Sequence, residues 1–286
     1  MVRRAAVAGM FYDGDVSELR RSVEDCFMGT FGPGRAPEVS GERQGRVLGL
    51  VCPHAGYIYS GAAAAWAYNA LAEDGVPDIA VIIGPNHQGV GAAVAVATEE
   101  DQWSTPLGAL SIDMDVARSI LKSSQAAQGD NVAHFREHSI EVQLPFLQYL
   151  GADKTRIVPI CIAHVSYHDA LVLLTDLGSA IAKAIKGKSA VIIASTDFSH
   201  YESKASAQAK DTAAIDRILA MDPQGLIQTV HDRQITMCGA VGTAIMLQAC
   251  KTLGATTARK LTYYTSGDVT GDLEQVVGYG AVAIES

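Results

Sequence analysis

Five apolar runs punctuate the chain: "RVLGLVC" (46–52), "DIAVIIG" (78–84), "RIVPICIA" (156–163), "SAVIIAS" (189–195) and "GAVAIE" (280–285). They are apolar at nearly every position instead of alternating, which predicts strands covered on both faces, as in a mainly parallel sheet. Between them lie stretches of helical periodicity. "SGAAAAWAYNALAEDG" (60–75) offers Ser60 as an N-cap and Gly75 as a stop. The spans 137–151, 166–185 and 239–254 read as helices by the same logic. Strands alternating with helices predict an α/β fold, a mainly parallel sheet sandwiched by helices. The Gly/Pro-rich segment 29–45 reads as a loop, because too little chain precedes it for a linker, and one domain over 1–286 is expected.

In such sheets ligands collect beyond the carboxyl ends of the strands, so the residues that follow each run carry the functional argument. "GLVCPHAGY" (49–57) and "VIIGPNHQG" (81–89) echo each other: an apolar run stops at a Pro and a His follows within two residues. His54 and His87 stand 33 residues apart, about one strand–helix–strand unit. If their strands are neighbours, roughly 4.8 Å apart, both imidazoles reach one point. Imidazole pairs suit iron, zinc, copper or nickel, with a carboxylate or thiolate as third ligand. Cys238, just ahead of a helix beginning near Gly239, is the candidate for that third position, since a helix N-terminus favours the thiolate. The fourth run ends in "STDFSHY", which offers Asp197 and His200 as an acid/base pair with the carboxylate orienting the ring.

His134 and His138 share an i, i+4 spacing, but "HFREH" is not H-E-x-x-H, and a surface or helix-capping pair is the favoured reading. Cys26, Cys161 and Cys250 fall in apolar patterns and read as core. "GMFYDGDV" reads as a turn before a helix capped by Asp15. Neither a G-x-G-x-x-G nor a P-loop motif occurs, which removes support for dinucleotide or nucleoside triphosphate binding.

Composition narrows the partners. The 286 residues are 48% hydrophobic and 19% charged, which argues for a packed core and against disorder. Twenty-two Lys and Arg against 31 Asp and Glu give a net charge of −9, so neither nucleic acid nor an anionic membrane surface is an expected partner. No apolar run approaches the roughly 18 residues of a membrane helix. The N-terminal apolar stretch is broken by Gly9 and ends at Asp13, unlike a secretory signal. Five dispersed Cys without a C-x-x-C fit reduced thiols and a cytoplasmic location.

The ordered motifs "AGMFYDGD", "PHAGYIYSG", "GPNHQG", "WSTPLG", "EHSIEVQLPFLQ", "STDFSHY", "MCGA" and "GYGAVA" resemble those of the Memo family, whose prokaryotic members are called AmmeMemoRadiSam system protein B, from about residue 4 to the C-terminus. Asp13 departs from the family's usual Pro, in a turn away from the site. The resemblance implies a class III extradiol dioxygenase-like fold, in which two His and a Glu hold Fe(II) and a further His acts as acid/base. Carried onto this chain it implies His54, His87 and Cys238 as metal ligands, with Asp197 and His200 as catalytic groups beside them. Tyr57 is then a candidate pocket wall or hydroxyl donor, and Asn86, Glu137 and His138 are candidate groups around the site. Fe(II) is the metal first expected, with Cu or Zn as alternatives.

A thiolate in place of a carboxylate is softer and itself oxidisable, so ring cleavage is disfavoured relative to other redox work or metal holding. The expected function is dioxygenase-like oxidoreductase chemistry on an unknown small molecule. The alternative is a non-catalytic metal- or peptide-binding partner protein that works with an AMMECR1-like protein and a radical SAM enzyme. Zn-dependent hydrolysis also fits two His and a Cys with an open water position.

Overall fold

The computed structural model describes residues 1–151 and 154–286. The first half of the chain forms strand β1 (Val2–Arg3), helix α1 (Val16–Met28), β2 (Val47–Cys52), α2 (Ala62–Asp74), β3 (Ile79–Pro85), β4 (Val94–Val96), β5 (Gln102–Thr105), β6 (Gly108–Ser111), α3 (Met114–Ser123), β7 (Gln128–Gly129) and α4 (Leu144–Tyr149). The second half forms β8 (Arg156–Ile162), α5 (Tyr167–Ile185), β9 (Ala190–Ser195), β10 (His200–Glu202), α6 (Lys204–Leu219), α7 (Pro223–Asp232), α8 (Ala240–Thr252), β11 (Thr257–Thr265), α9 (Ser266–Thr270) and β12 (Val276–Glu285).

A large sheet runs in the order β10-β12-β2-β9-β3-β8-β4-β7, with β11 also paired to β12. Its centre is parallel, as the doubly apolar runs predict: β2 with β9, β9 with β3, and β3 with β8. The flanks are not. β12 pairs antiparallel with β2, β10 and β11, and β4 pairs antiparallel with β8, so the sheet is mixed. A separate three-stranded sheet, β1-β5-β6, packs beside it.

Each central strand supplies both cores by simple alternation. Val51, Val81, Ile83 and Ile192 face the helices of the second half, whereas Leu50, Cys52, Ala80, Ile82, Val191 and Ile193 face α1, α2 and α4. That two-sided burial is why these runs read apolar throughout. Asp15 caps α1 as expected, accepting from the Ser17 and Glu18 amides, and Ser166 caps α5. Cys26, Cys161 and Cys250 are buried thiols.

Two helix assignments need correction. Ser60 does not cap α2: its hydroxyl donates to the Ala55 carbonyl, inside a wide π-type turn over Tyr57–Gly61 that precedes the helix. The span 137–151 is not one helix either. It begins as loop, passes through a single 3₁₀ turn at Glu141–Gln143, and becomes α-helical only at Leu144, where Pro145 suits the first turn. Nor are His134 and His138 a surface or capping pair. His134 is buried against Trp103 with Nε2 facing the Ala95 carbonyl, and His138 stacks on His87.

Candidate metal centre

The carboxyl ends of β2, β9 and β3 lie along one edge of the sheet, in register Cys52 with Ser195 and Ile83 with Ala194. Although the spacing suggests that the strands leading to His54 and His87 are neighbours, β9 lies between them. Convergence therefore comes from the loops: the two rings stand 5.2 Å apart, edge to face. The end of β9 brings Ser195 and Asp197 to His54, and Thr196 and Asp197 to Cys238.

Hydrogen bonds fix which nitrogen each imidazole presents. The single Ser195 hydroxyl proton goes to the Ser139 carbonyl at 2.6 Å. Its oxygen is then an acceptor, and it takes bonds from Gln143 Nε2 at 2.9 Å and from His54 Nδ1 at 3.0 Å. Gln143 is held in turn through Pro53 and Tyr68. His54 thus carries its proton on Nδ1 and leaves the Nε2 lone pair free.

His87 follows the same logic with a carboxylate. Its Nδ1 donates to Glu137 Oε1 at 2.9 Å, its backbone amide donates to Oε2 at 2.6 Å, and Nε2 is left open. Burial alone would raise the Glu137 pKa. The bond and charge of His87, the Ser139 amide and His138 outweigh it and hold the carboxyl down to about 2, so Glu137 is ionised across the neutral range. Burial, with the neighbouring imidazoles His138 and His87, pushes His54 well below the usual histidine range and keeps it neutral. Burial likewise lowers His138 to about 4, against the opposing pull of Glu137.

Cys238 completes the group. Its Sγ lies 3.3 Å from His54 Nε2 and accepts from the Asp197 amide at 3.2 Å. One donor atom from each of His54, His87 and Cys238 falls within 4.8 Å of the other two. With metal–ligand bonds of about 2.0–2.3 Å, donors at a tetrahedral angle stand roughly 3.5 Å apart, so the His54–Cys238 pair already has the required spacing. The helix N-terminus does not lower this thiol as expected. Burial, reinforced by the Asp197 carboxylate, pushes it well above its ordinary value, against bonds from the Asp197 and Gly239 amides and the Thr196 hydroxyl. A cation at this point reverses that balance, because a coordinated thiol gives up its proton.

Gly239 sets the sulfur's position. A Cβ there would lie 2.5 Å from both the Ser195 carbonyl oxygen and Thr196 Cβ, so only glycine lets α8 begin against the end of β9. Gly239→Ala is expected to cost about 1–3 kcal/mol of stability by overpacking and to weaken metal uptake. Thermal unfolding and a Co(II) titration of the same protein check both. Glu137→Gln removes the charge that fixes His87 and is expected to weaken metal binding about 10–100-fold; unchanged affinity in a chelator competition would show that His87 needs no such hold.

Asp197 is buried against His54, accepting from its amide at 2.9 Å, with Oδ2 3.9 Å from Nε2. Burial raises its pKa to about 6, against the His54 amide and the charges of His200 and His87. It does not orient His200 as expected. His200 lies on β10, which pairs with β12, and it is tied to Thr236: its amide donates to the Thr236 hydroxyl at 2.7 Å and Nδ1 faces the Thr236 carbonyl at 2.8 Å. Its Nε2 is left open at a half-buried position.

Tyr57 points away from the donors, its hydroxyl bonded to the Val142 carbonyl and its ring packed on Phe146. Asn86 shapes the loop under His87: Oδ1 accepts from the Gln88 and Gly89 amides and Nδ2 donates to the Val90 carbonyl. Ser195, Gln143 and Thr236 were not anticipated as site residues. Ser195 lies inside the quoted "STDFSHY" and Gln143 inside "EHSIEVQLPFLQ", but their partners are distant in sequence.

His87 and Cys238 also line one end of a cavity of about 610 Å³. Among the described residues no helix is long and apolar enough to cross a membrane. The family model for Memo-like proteins matches residues 3–283. The chain is 46% identical over 284 residues to a MEMO1 family protein of Methanopyrus kandleri, covering 99% of this chain and 98% of that protein. It is 46% identical over 281 residues to one of Methanothermobacter thermautotrophicus (98% and 99% covered), and 40% identical over 282 residues to one of Nitrosopumilus maritimus (99% of each). With the family model matching residues 3–283 and the likeness to these relatives running the length of the chain, this protein belongs to the Memo family.

Proposed function

We propose that His54, His87 and Cys238 hold a redox-active transition metal, Fe(II) first, and that the protein carries out oxidative chemistry on a small molecule. The observation that supports this best is the paired hold on the imidazoles: two networks that meet at Ser139 engage both Nδ1 atoms and leave both Nε2 atoms for other partners, with the Cys238 sulfur close by. A structural zinc site is usually closed by four protein ligands, whereas three donors beside a cavity suit a reactive centre. Fe(II) held there would supply a binding position for O2 and one electron toward its reduction, the small-molecule substrate supplying the others as it is oxidised. The chain's own part is to position and to move protons. Glu137 and Ser195 keep the imidazoles oriented, Asp197, raised to about 6, exchanges a proton just below neutral pH at the edge of the donors, and the open Nε2 of His200 accepts or returns one. Copper fits the soft sulfur, and zinc fits the geometry with hydrolysis as its chemistry.

A second reading, a non-catalytic partner of AMMECR1-like and radical SAM proteins, is favoured by one surface. Met10, Val132 and Phe135, exposed at 73%, 62% and 68%, surround adjoining grooves that also carry Arg4 and Arg136. The two readings separate in one experiment. Protein loaded anaerobically with Fe(II) is expected to take up O2, and Cys238→Ser to lose that uptake. Stoichiometric metal without O2 uptake in the wild type would overturn the oxidative reading and leave the partner reading.

A further inference from the structure

The cavity beside the donors is unlike the rest of this acidic chain. Its floor is apolar and buried: Ala170 on α5, Ile227 on α7, Ile235 and Met237 on the segment leading into α8, and Ala240 in the first turn of α8. Its mouth is polar and exposed, with His164, Ser166, His231 and Gln234 around it and the Tyr167 ring tilted against His231 at 4.7 Å. His87 and Cys238 stand at one end. Among the described residues, no Asp, Glu, Lys or Arg lines it, in a chain that has 53 of them, 22 basic and 31 acidic.

That absence is selective. An ion entering such a space gives up its hydration and finds no charged side chain to replace it, the first turn of α8 offering only backbone amides, whereas an apolar body loses nothing and gains burial. At about 610 Å³ the space is of the size that takes an ordinary small molecule. We infer that this cavity binds an uncharged small molecule with an apolar body, one polar handle directed at the His87–Cys238 end and the mouth polar groups meeting whatever remains in water. As a substrate assignment this rests on the metal reading above; as a binding site it does not.

The test uses metal-free full-length protein and three probes of one shape: 2-naphthol, naphthalene-2-sulfonate and 2-naphthylmethylammonium, with binding followed by probe fluorescence and calorimetry. One molecule of 2-naphthol is expected to bind, at least tenfold tighter than either ion. Ala170→Phe, which fills the floor, is expected to abolish binding. Val230→Trp fills the space from the half-buried wall and serves if the first variant misfolds, with circular dichroism reporting the fold of each. Equal or tighter binding of either ion overturns the inference, as does unchanged binding in a folded, filled variant or no binding of 2-naphthol at all. Metal uptake is measured on the same preparations. Selective 2-naphthol binding by protein that takes up no metal would support the cavity and sink the metal reading, and metal uptake without 2-naphthol binding would do the reverse.

Discussion

Cys238→Ser is expected to weaken divalent metal binding by at least about 100-fold, near 2.7 kcal/mol at about 1.36 kcal/mol per decade, while leaving the fold in place. The argument is chemical before it is geometric. The two imidazoles are neutral donors, so the sulfur is the donor that can bring negative charge to the centre. Serine's hydroxyl does not ionise under the same cation as a thiol does, and its shorter bond draws the oxygen back from His54. Structurally the change is small: Cys238 is half-buried, and its contacts are with the Asp197 and Thr196 backbone and hydroxyl groups, which an oxygen also satisfies. The unfolding midpoint should therefore move by no more than a surface substitution moves it, within about 0.5 kcal/mol. His54→Ala is the contrasting variant. It also removes metal, but it leaves the Ser195–Gln143 network short of a donor in a buried place and should destabilise measurably. A Cys238→Ser protein that retains one tightly bound metal per chain would mean that the sulfur is not a ligand.

The parts legible in the sequence are those where one residue's local pattern states its environment. Val47–Cys52, Ile79–Pro85 and Ala190–Ser195 are apolar on both faces, so parallel central strands followed directly. The His after each strand end was legible because a loop at the carboxyl edge has nowhere to go but toward the site. What failed was everything that depends on strand order. Nothing in the runs of β2 and β3 says that β9 lies between them, so His54 and His87 come within 5.2 Å of each other through their loops and not as the ends of adjacent strands. The helix over 137–151 failed for a related reason: its periodicity is that of a buried segment, but Glu137 and Ser139 are committed to His87 and the Pro85 carbonyl, and those long-range bonds hold the backbone out of a helix. His134 and His138 were misjudged with it, because i, i+4 spacing places two residues on one face only if the stretch between them is helical. Cys238 shows the same limit in electrostatics, since the depth of burial that overrides the helix N-terminus is a tertiary property.

Glu141→Gln is expected to cost about 3–5 kcal/mol, the usual penalty for leaving a buried partner charge unpaired, and to loosen the metal centre as well. The Glu141 carboxylate is fully buried and accepts from Arg3 Nη1 at 2.7 Å, the Ala6 and Val7 amides at 2.8 and 3.0 Å, and the Tyr12 hydroxyl at 2.7 Å. An amide in its place points two hydrogens at a site built entirely of donors. Arg3, 4% exposed and lying over the Trp103 ring at 4.1 Å, loses its counter-charge. Its other two bonds run to the His134 and Glu137 carbonyls, so the guanidinium pins the loop from which Glu137 reaches His87. The N-terminal strand is thereby linked to a metal donor through Glu141, Arg3 and Glu137 in turn. Urea unfolding measures the first effect and chelator competition the second. The double variant Arg3→Met/Glu141→Leu removes both charges together and should recover the part of the loss that comes from the unpaired charge, but not the part that comes from the Ala6 and Val7 amides, the Tyr12 hydroxyl and the His134 and Glu137 carbonyls left without partners. It should not recover metal affinity, because the loop carrying Glu137 has lost its pin. If the double variant restores both, the ion pair holds only the fold and Glu137 is positioned without it.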